Sequence, residues 1–143
     1  MKKTICLIRG TKTESYTDFK ARILTLVNRL GTNDIVIKAK VVLTENPPPK
    51  ISIIPFKKDK IASITIKSIE NEFLEDLTRE NGFVGSFEVI EALPVAYDKT
   101  WDDGIVTPGV CLLTLFNQKK SINYDTFIDR WHNSHTPLSL KIH

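Results

Sequence analysis

Apolar residues along this chain fall into short blocks whose period switches between two and about 3.6, and those switches divide residues 1–93 into strands and helices. Residues 4–9 read as a strand. From Ser15 to Leu30, Tyr16, Phe19, Ile23, Leu26, Val27 and Leu30 form one helical stripe, with Arg22 and Arg29 outside it. Ser15-x-x-Asp18 is a capping-box variant at its start, and Gly31 offers a left-handed stop. Ile35 to Thr44 is rich in β-branched residues and predicts a strand. Pro47-Pro48-Pro49 forbids regular pairing, and Ile51 to Phe56 is a short strand that Pro55 restricts to an edge or bulge. Ile61, Ser63, Thr65 and Lys67 alternate with Ala62, Ile64 and Ile66, a period-two strand with one buried face. Phe73, Leu74 and Leu77 mark a short helix ended by Asn81-Gly82, and residues 84–93 return as a strand through Val84, Phe87, Val89 and Leu93.

The order strand–helix–strand–strand–helix–strand, with an extra edge piece, is the split βαβ arrangement of an α+β, ferredoxin-like fold. Its helices cover one face of an antiparallel sheet, and the other face must find its own cover. Residues 94–109 read as a linker, carrying Tyr97, Trp101, Asp102-Asp103-Gly104 and Thr107-Pro108-Gly109 in turn chemistry.

Beyond the linker the chain begins again. Thr4-Ile5-Cys6-Leu7-Ile8 is echoed by Val110-Cys111-Leu112-Leu113, and Tyr16-x-x-Phe19-x-x-Arg22 by Tyr124-x-x-Phe127-x-x-Arg130 at an offset of 108 residues. Ser15 and Asn123 share that offset, and both are good N-cap residues. Residues 110–143 therefore read as a second ferredoxin-like repeat that starts and does not finish, since only eight residues follow His135. The expectation is a fragment of a longer product, or a tail donated to a neighbour.

In that second helix Tyr124, Phe127, Trp131 and His135 are spaced by three, four and four, so all lie on one face, and the pattern stops at Thr136-Pro137-Leu138. Phe127-x-x-x-Trp131-x-x-x-His135-x-Pro137-Leu138 resembles the EthD-like family of the dimeric α/β-barrel superfamily, and the likeness runs from Tyr97 and Trp101 to the end and more faintly through the earlier residues. The resemblance implies that the open sheet face packs on a second sheet, from a dimer mate or a second repeat, to enclose a small barrel. It also implies a small hydrophobic, aromatic or oxygenated metabolite as ligand, in oxidoreductase or cyclase chemistry or as an accessory to it, with a histidine at the position of His135.

Histidine ordinarily titrates near a pKa of about 6.5, so it can give or take a proton at neutral pH. The residue before Pro137 is disfavoured in the helical region, which predicts a helix end near Ser134 and His135 at its mouth. Two readings stay open for His135: an acid/base group beside a cavity, or a core histidine bonded to a backbone carbonyl. Val27 holds the matching position of the first repeat, so only the second can carry such a site. Trp131, with Phe127 and Tyr124, either walls a substrate pocket or is simple packing. His132 falls just off the stripe. Arg22 and Arg130 are expected to pair with a carboxylate such as Glu14 or Asp129.

Composition closes off several classes. Hydrophobic residues make up 41% and charged residues 26% of the chain, the proportions of an ordinary globular protein. A net charge of +3 with both signs interspersed makes no case for nucleic acid, and Lys57-Lys58-Asp59-Lys60 reads as a solvated turn. No segment approaches the roughly 18 apolar residues of a membrane span, and the N-terminal pattern is not that of a signal peptide. Cys6 and Cys111 each sit in an apolar strand pattern, which suggests buried, inert thiols in a reducing cytoplasm. No metal spacing, Gly-rich phosphate loop or G-x-S-x-G elbow is present, so neither metal nor cofactor is expected. Two functions survive: a homodimeric or repeat-paired holder of a small hydrophobic metabolite with His135 as acid/base, and a non-catalytic binding or assembly module.

Overall fold

The computed structural model describes residues 1–46, 60–91, 93, 98–109, 111, 113–114 and 117–142. The chain divides into two compact units, Met1–Glu91 and Ala92–His143. In the first unit β1 (Lys2–Arg9), α1 (Tyr16–Gly31), β2 (Val36–Leu43), β3 (Ile61–Ser68), α2 (Leu74–Thr78) and β4 (Phe83–Glu88) follow one another in split-βαβ order. The four strands form one sheet in the order β2-β3-β1-β4, and every neighbouring pair is antiparallel. This is the α+β, ferredoxin-like sheet that the alternation implied. Pro47-Pro48-Pro49, the short strand at Ile51–Phe56, Tyr97, Val110 and Leu112 lie outside the described residues.

Period two sorts the strands. Cys6 and Ile8 of β1 and Ala62, Ile64 and Ile66 of β3 are all fully buried and point to the helices. Phe19, Ile23, Leu26 and Leu30 from α1 meet them, as do Phe73 and Leu77 at α2, in one core cluster. Each such side chain taken from water contributes roughly 1.5–3 kcal/mol. α1 starts as read: Ser15 has extended backbone, and its hydroxyl accepts the Asp18 N–H at 3.1 Å.

Its end differs from expectation. Gly31 is not in the left-handed region; the positive-φ glycines are Gly82, Gly104 and Gly109. Instead the helix tightens through Thr32, still helical, whose hydroxyl donates to the Arg29 carbonyl at 2.8 Å while Asn33 N–H reaches the Leu30 carbonyl. A side-chain donor thus satisfies an orphan carbonyl without a left-handed residue. Lys60 is also not the solvated residue expected. It is 7% exposed, with its ammonium 5.2 Å from the Tyr16 ring centre, since its aliphatic stem packs while its charge lies over an aromatic face.

Two β-bulges fix what each sheet face carries. In β2, Val36 pairs with Ser68 but Lys38 pairs with Lys67, so Ile37 is the extra residue. In β4, Gly85 pairs with Leu7 but Phe83 pairs with Ile8, so Val84 is extra. An extra residue re-aims everything beyond it by one step. Val36, Ala39, Val41 and Leu43 accordingly share the helix-facing register, and Lys38 and Lys40 the opposite one.

In the second unit Asn123 caps α3 (Tyr124–Arg130), a π-helical turn follows over Trp131–His135, and α4 (Thr136–Ile142) continues the run. Asn123 repeats the backbone of Ser15, with ψ of 165° against 162°, and its Oδ1 accepts the Thr126 N–H at 2.8 Å. The helix does not end near Ser134: Thr136 is helical and its N–H reaches back to the Trp131 carbonyl. A proline inside a regular helix clashes with the carbonyl four residues earlier. The wider π turn just before Pro137 relaxes that constraint and lets the helix run on. Cys111 and Leu113, the described residues of the expected second strand, are exposed and outside any strand.

Candidate functional site

The aromatic stripe is built by the Asn123 cap, which sets the start of the helix that carries it. Phe127 and Trp131 have ring centres 5.9 Å apart, and Trp131 and the His135 imidazole 5.4 Å apart, both pairs tilted by about 50°. Three of the four sequence candidates are therefore brought into a continuous ladder. Tyr124 is 62% exposed and stands apart from the ring contacts. Phe127 and Trp131 are half-buried and His135 is exposed, and no residue of α3, the π turn or α4 is buried. Within the second unit His135 is therefore an exposed member of the stripe. The exposed imidazole thus lies tilted against the Trp131 indole. His132 is exposed, and Asp129 accepts a hydrogen bond from Asn133 at 2.7 Å instead of serving Arg130. Asp103 of the Asp102-Asp103 pair binds the Lys99 ammonium at 2.6 Å.

The Arg22 expectation is met with Glu14. Arg22 Nε donates to Glu14 Oε1 at 2.8 Å and Nη2 to Oε2 at 3.0 Å, and Nη1 donates to the Asn81 carbonyl at 3.1 Å. Thr11 and Glu14 brace each other, Thr11 N–H to Glu14 Oε2 and Glu14 N–H to Thr11 Oγ1, both at 3.2 Å. The Arg22 bond holds the Glu14 carboxyl below its usual range against the opposing effect of burial, and raises Arg22 in return. This bridge ties the β1–α1 loop to the α2–β4 loop, where Arg29 also reaches Glu80 at 2.9 Å. It is structural.

Sequence reading left the sheet face opposite the helices open for a partner but missed the row of lysines on it. There Lys3 of β1, Lys67 of β3 and Lys38 of β2 stand directly across from one another, with Lys40 one step along β2. Beside the row, Ile5 is paired with Phe87, and Leu7 with Gly85. The Phe87 ring leans over Gly85, where an added Cβ would lie 3.1 Å from Cζ. Leu7 and Ser63 are buried, Ile5 and Thr65 half-buried, and Phe87 is 52% exposed. Lys3 is ion-paired to Glu91, whose carboxyl that bond holds low with help from the charges of Lys67 and Lys40. The signal was present in Lys38-x-Lys40, yet facing lysines cannot be seen without the β2–β3 register.

Cys6 is buried, which pushes its thiol up to about 11, whereas Cys111 is exposed, contrary to the expectation of two buried thiols. Cys111 has no described strand to pack in. Among the described residues, no cluster of three or more His, Cys, Asp or Glu could hold a metal ion, and no helix is long and apolar enough to cross a membrane. No family model matches this chain, and no curated protein matches it either.

Proposed function

We propose that this chain is a small-molecule-holding module of EthD-like, dimeric α/β-barrel type, cytoplasmic, that pairs through the sheet face opposite its helices with a second copy or a second repeat. The metabolite is small and hydrophobic, aromatic or oxygenated, and the chemistry is of the oxidoreductase or cyclase kind or accessory to it. His135 serves as the acid/base group and Trp131, Phe127 and Tyr124 as the substrate wall. The observation that carries the reading is the apolar pair Ile5 and Phe87 on a face that no described helix of the first unit covers, with Phe87 half-exposed. The Trp131–His135 ladder supports the acid/base role by orienting an accessible imidazole.

Light scattering tests the pairing: a mass of two chains is expected, and Phe87→Lys should return it to one. A clean monomer would refute it. His135→Asn tests the chemistry. The amide keeps one hydrogen bond but cannot shuttle a proton near neutral pH. Being exposed, His135 should give a variant of unchanged melting temperature, with turnover of a ring-bearing substrate lost. The alternative, a non-catalytic assembly module, is favoured by one observation: the aromatic ladder has no buried member. Full activity in His135→Asn would decide for it.

A further inference from the structure

We infer that the sheet face opposite the helices recognises an acid: a small amphiphile whose anionic head sits on the Lys3–Lys67–Lys38 row and whose apolar body lies along Ile5 and Phe87. The inference deepens the proposed function, taking from it only that this face holds the ligand. It rests first on register. Like charges directly opposite on neighbouring strands destabilise a sheet, and here three lysines stand at directly opposed register positions, with a fourth at Lys40 on the same face. The Ile37 bulge works the other way, since it is the extra residue that turns Lys38 and Lys40 onto this face and leaves Ile37 itself 52% exposed.

Glu91 shows what the row is fit to bind. Its carboxylate is ion-paired with Lys3 and lies in the field of Lys67 and Lys40, so one carboxylate satisfies several of these charges at once. The Glu91 side chain is 48% exposed, and can swing into water when another carboxylate arrives. The floor next to the row is apolar. Ile5 and Phe87 lie two residues along their strands from Lys3 and the Val89 N–H that bonds to its carbonyl, a step of about 7 Å. An acid whose apolar body is at least that long engages both; inorganic phosphate would leave the floor unused. A nucleic acid strand needs successive aromatic platforms, whereas the central strands present Ile5, Leu7, Ser63 and Thr65 here, and Phe87 on β4 is the only aromatic among the described strand residues of this face.

The test uses the full chain and dodecanoate below its micelle concentration, with dodecanol as the uncharged probe of equal tail, both by calorimetry. Dodecanoate should bind at least tenfold more tightly than dodecanol, and less tightly as salt is raised. The triple variant Lys38→Gln, Lys40→Gln, Lys67→Gln should lose at least tenfold in dodecanoate affinity while its melting temperature holds or rises, because like-charge repulsion is relieved. Glu91→Gln should tighten binding several-fold. Equal affinity for the two probes, or an unaffected triple variant, would overturn the inference. So would capture of phosphatidylglycerol vesicles or oligouridylate by a protein that ignores dodecanoate, since the row would then serve a membrane or an RNA. Light scattering on the same samples separates the two readings: a monomer that binds dodecanoate sinks the pairing and keeps the acid site.

Discussion

Replacing Glu14 by Gln should weaken the first unit by about 1.5–3 kcal/mol at pH 7, the usual worth of hydrogen bonds to a charged partner. Two of the three bonds that Glu14 accepts come from the Arg22 guanidinium, at 2.8 and 3.0 Å, and the third from Thr11 N–H at 3.2 Å. Gln offers one acceptor oxygen and turns an amide donor toward a guanidinium that can only donate. Water compensates little, because the Glu14 side chain is 13% and the Arg22 side chain 25% exposed. Arg22 keeps the Asn81 carbonyl at 3.1 Å and Glu80 at 4.0 Å, which keeps the loss from growing to that of an unpaired buried charge. For a unit of this size each kcal/mol moves the melting temperature by about 4–8 °C.

Urea titration followed by far-ultraviolet circular dichroism is the suitable assay, since Trp101 and Trp131 both lie outside the first unit. The pH dependence carries the sharper test. Arg22 depresses the folded Glu14 carboxyl, while the unfolded chain titrates at the ordinary value of about 4.3. The unfolded state therefore takes up the proton first as pH falls. The stabilisation is complete above pH ~4.3 and is lost progressively below it, through the depressed folded value. The wild-type and Gln proteins should differ most at neutral pH and converge in acid. A difference below about 0.5 kcal/mol at pH 7, where surface ion pairs ordinarily lie, or one that stays constant into acid, would refute the account.

Gly82→Ala should be among the most damaging single changes, by about 3 kcal/mol or more. Its φ of +80° disfavours a side chain, and a Cβ would sit 2.0 Å from the Arg9 carbonyl oxygen, next to the Arg9 N–H to Gly82 carbonyl bond; a melting curve within a few degrees of wild type would contradict it. Titration with Ellman's reagent at pH 8 should modify Cys111 at once and Cys6 only on unfolding, since burial holds the Cys6 thiol protonated at about 11. Two fast thiols would be inconsistent with the buried strand. Thr4→Val should be neutral or stabilising by about 1 kcal/mol in denaturant titration, because the Thr4 hydroxyl is buried with no hydrogen-bond partner among the described residues. A loss of stability would mean that the hydroxyl is bonded.

What could be read from the residues alone was whatever depends on local spacing. Ser15 and Asn123 were legible as caps because an N-cap needs only its own side chain and the next three residues. Arg22 could be paired with Glu14 because both flank one helix start. Four features escaped because each is decided by a second segment. Cys111 looks like Cys6 in its apolar surroundings, but an apolar run becomes a strand only where another strand takes its backbone bonds. The end of α1 turned on whether Thr32 could supply a donor, and the passage through Pro137 on whether the preceding turn could widen. The lysine row needed a register that no single strand reveals.

The bulges bear on how this sheet can associate at all. With the order β2-β3-β1-β4, the edges among the described strands are β2 and β4, and these are the two strands that carry an extra residue. Bulged edges twist away from a would-be partner strand and interrupt its ladder, and lysines on β2 add charge repulsion between copies brought edge to edge. β4 is also short, six residues, with Gly85 in its middle. Pairing in the plane of the sheet is disfavoured on both sides for the same physical reason. The helix-covered face is closed by its own core. Among the described surfaces of the sheet, the opposite face, where Phe87 is half-exposed beside Ile5, is the one we propose for a partner or a ligand. Sheet-on-sheet contact between identical copies would bring two sets of like charges together at the lysine end, which weakens the pairing there without abolishing it. An acid held between the rows would neutralise both, so ligand and pairing should favour each other, and dodecanoate should raise the dimer fraction in light scattering at fixed protein concentration.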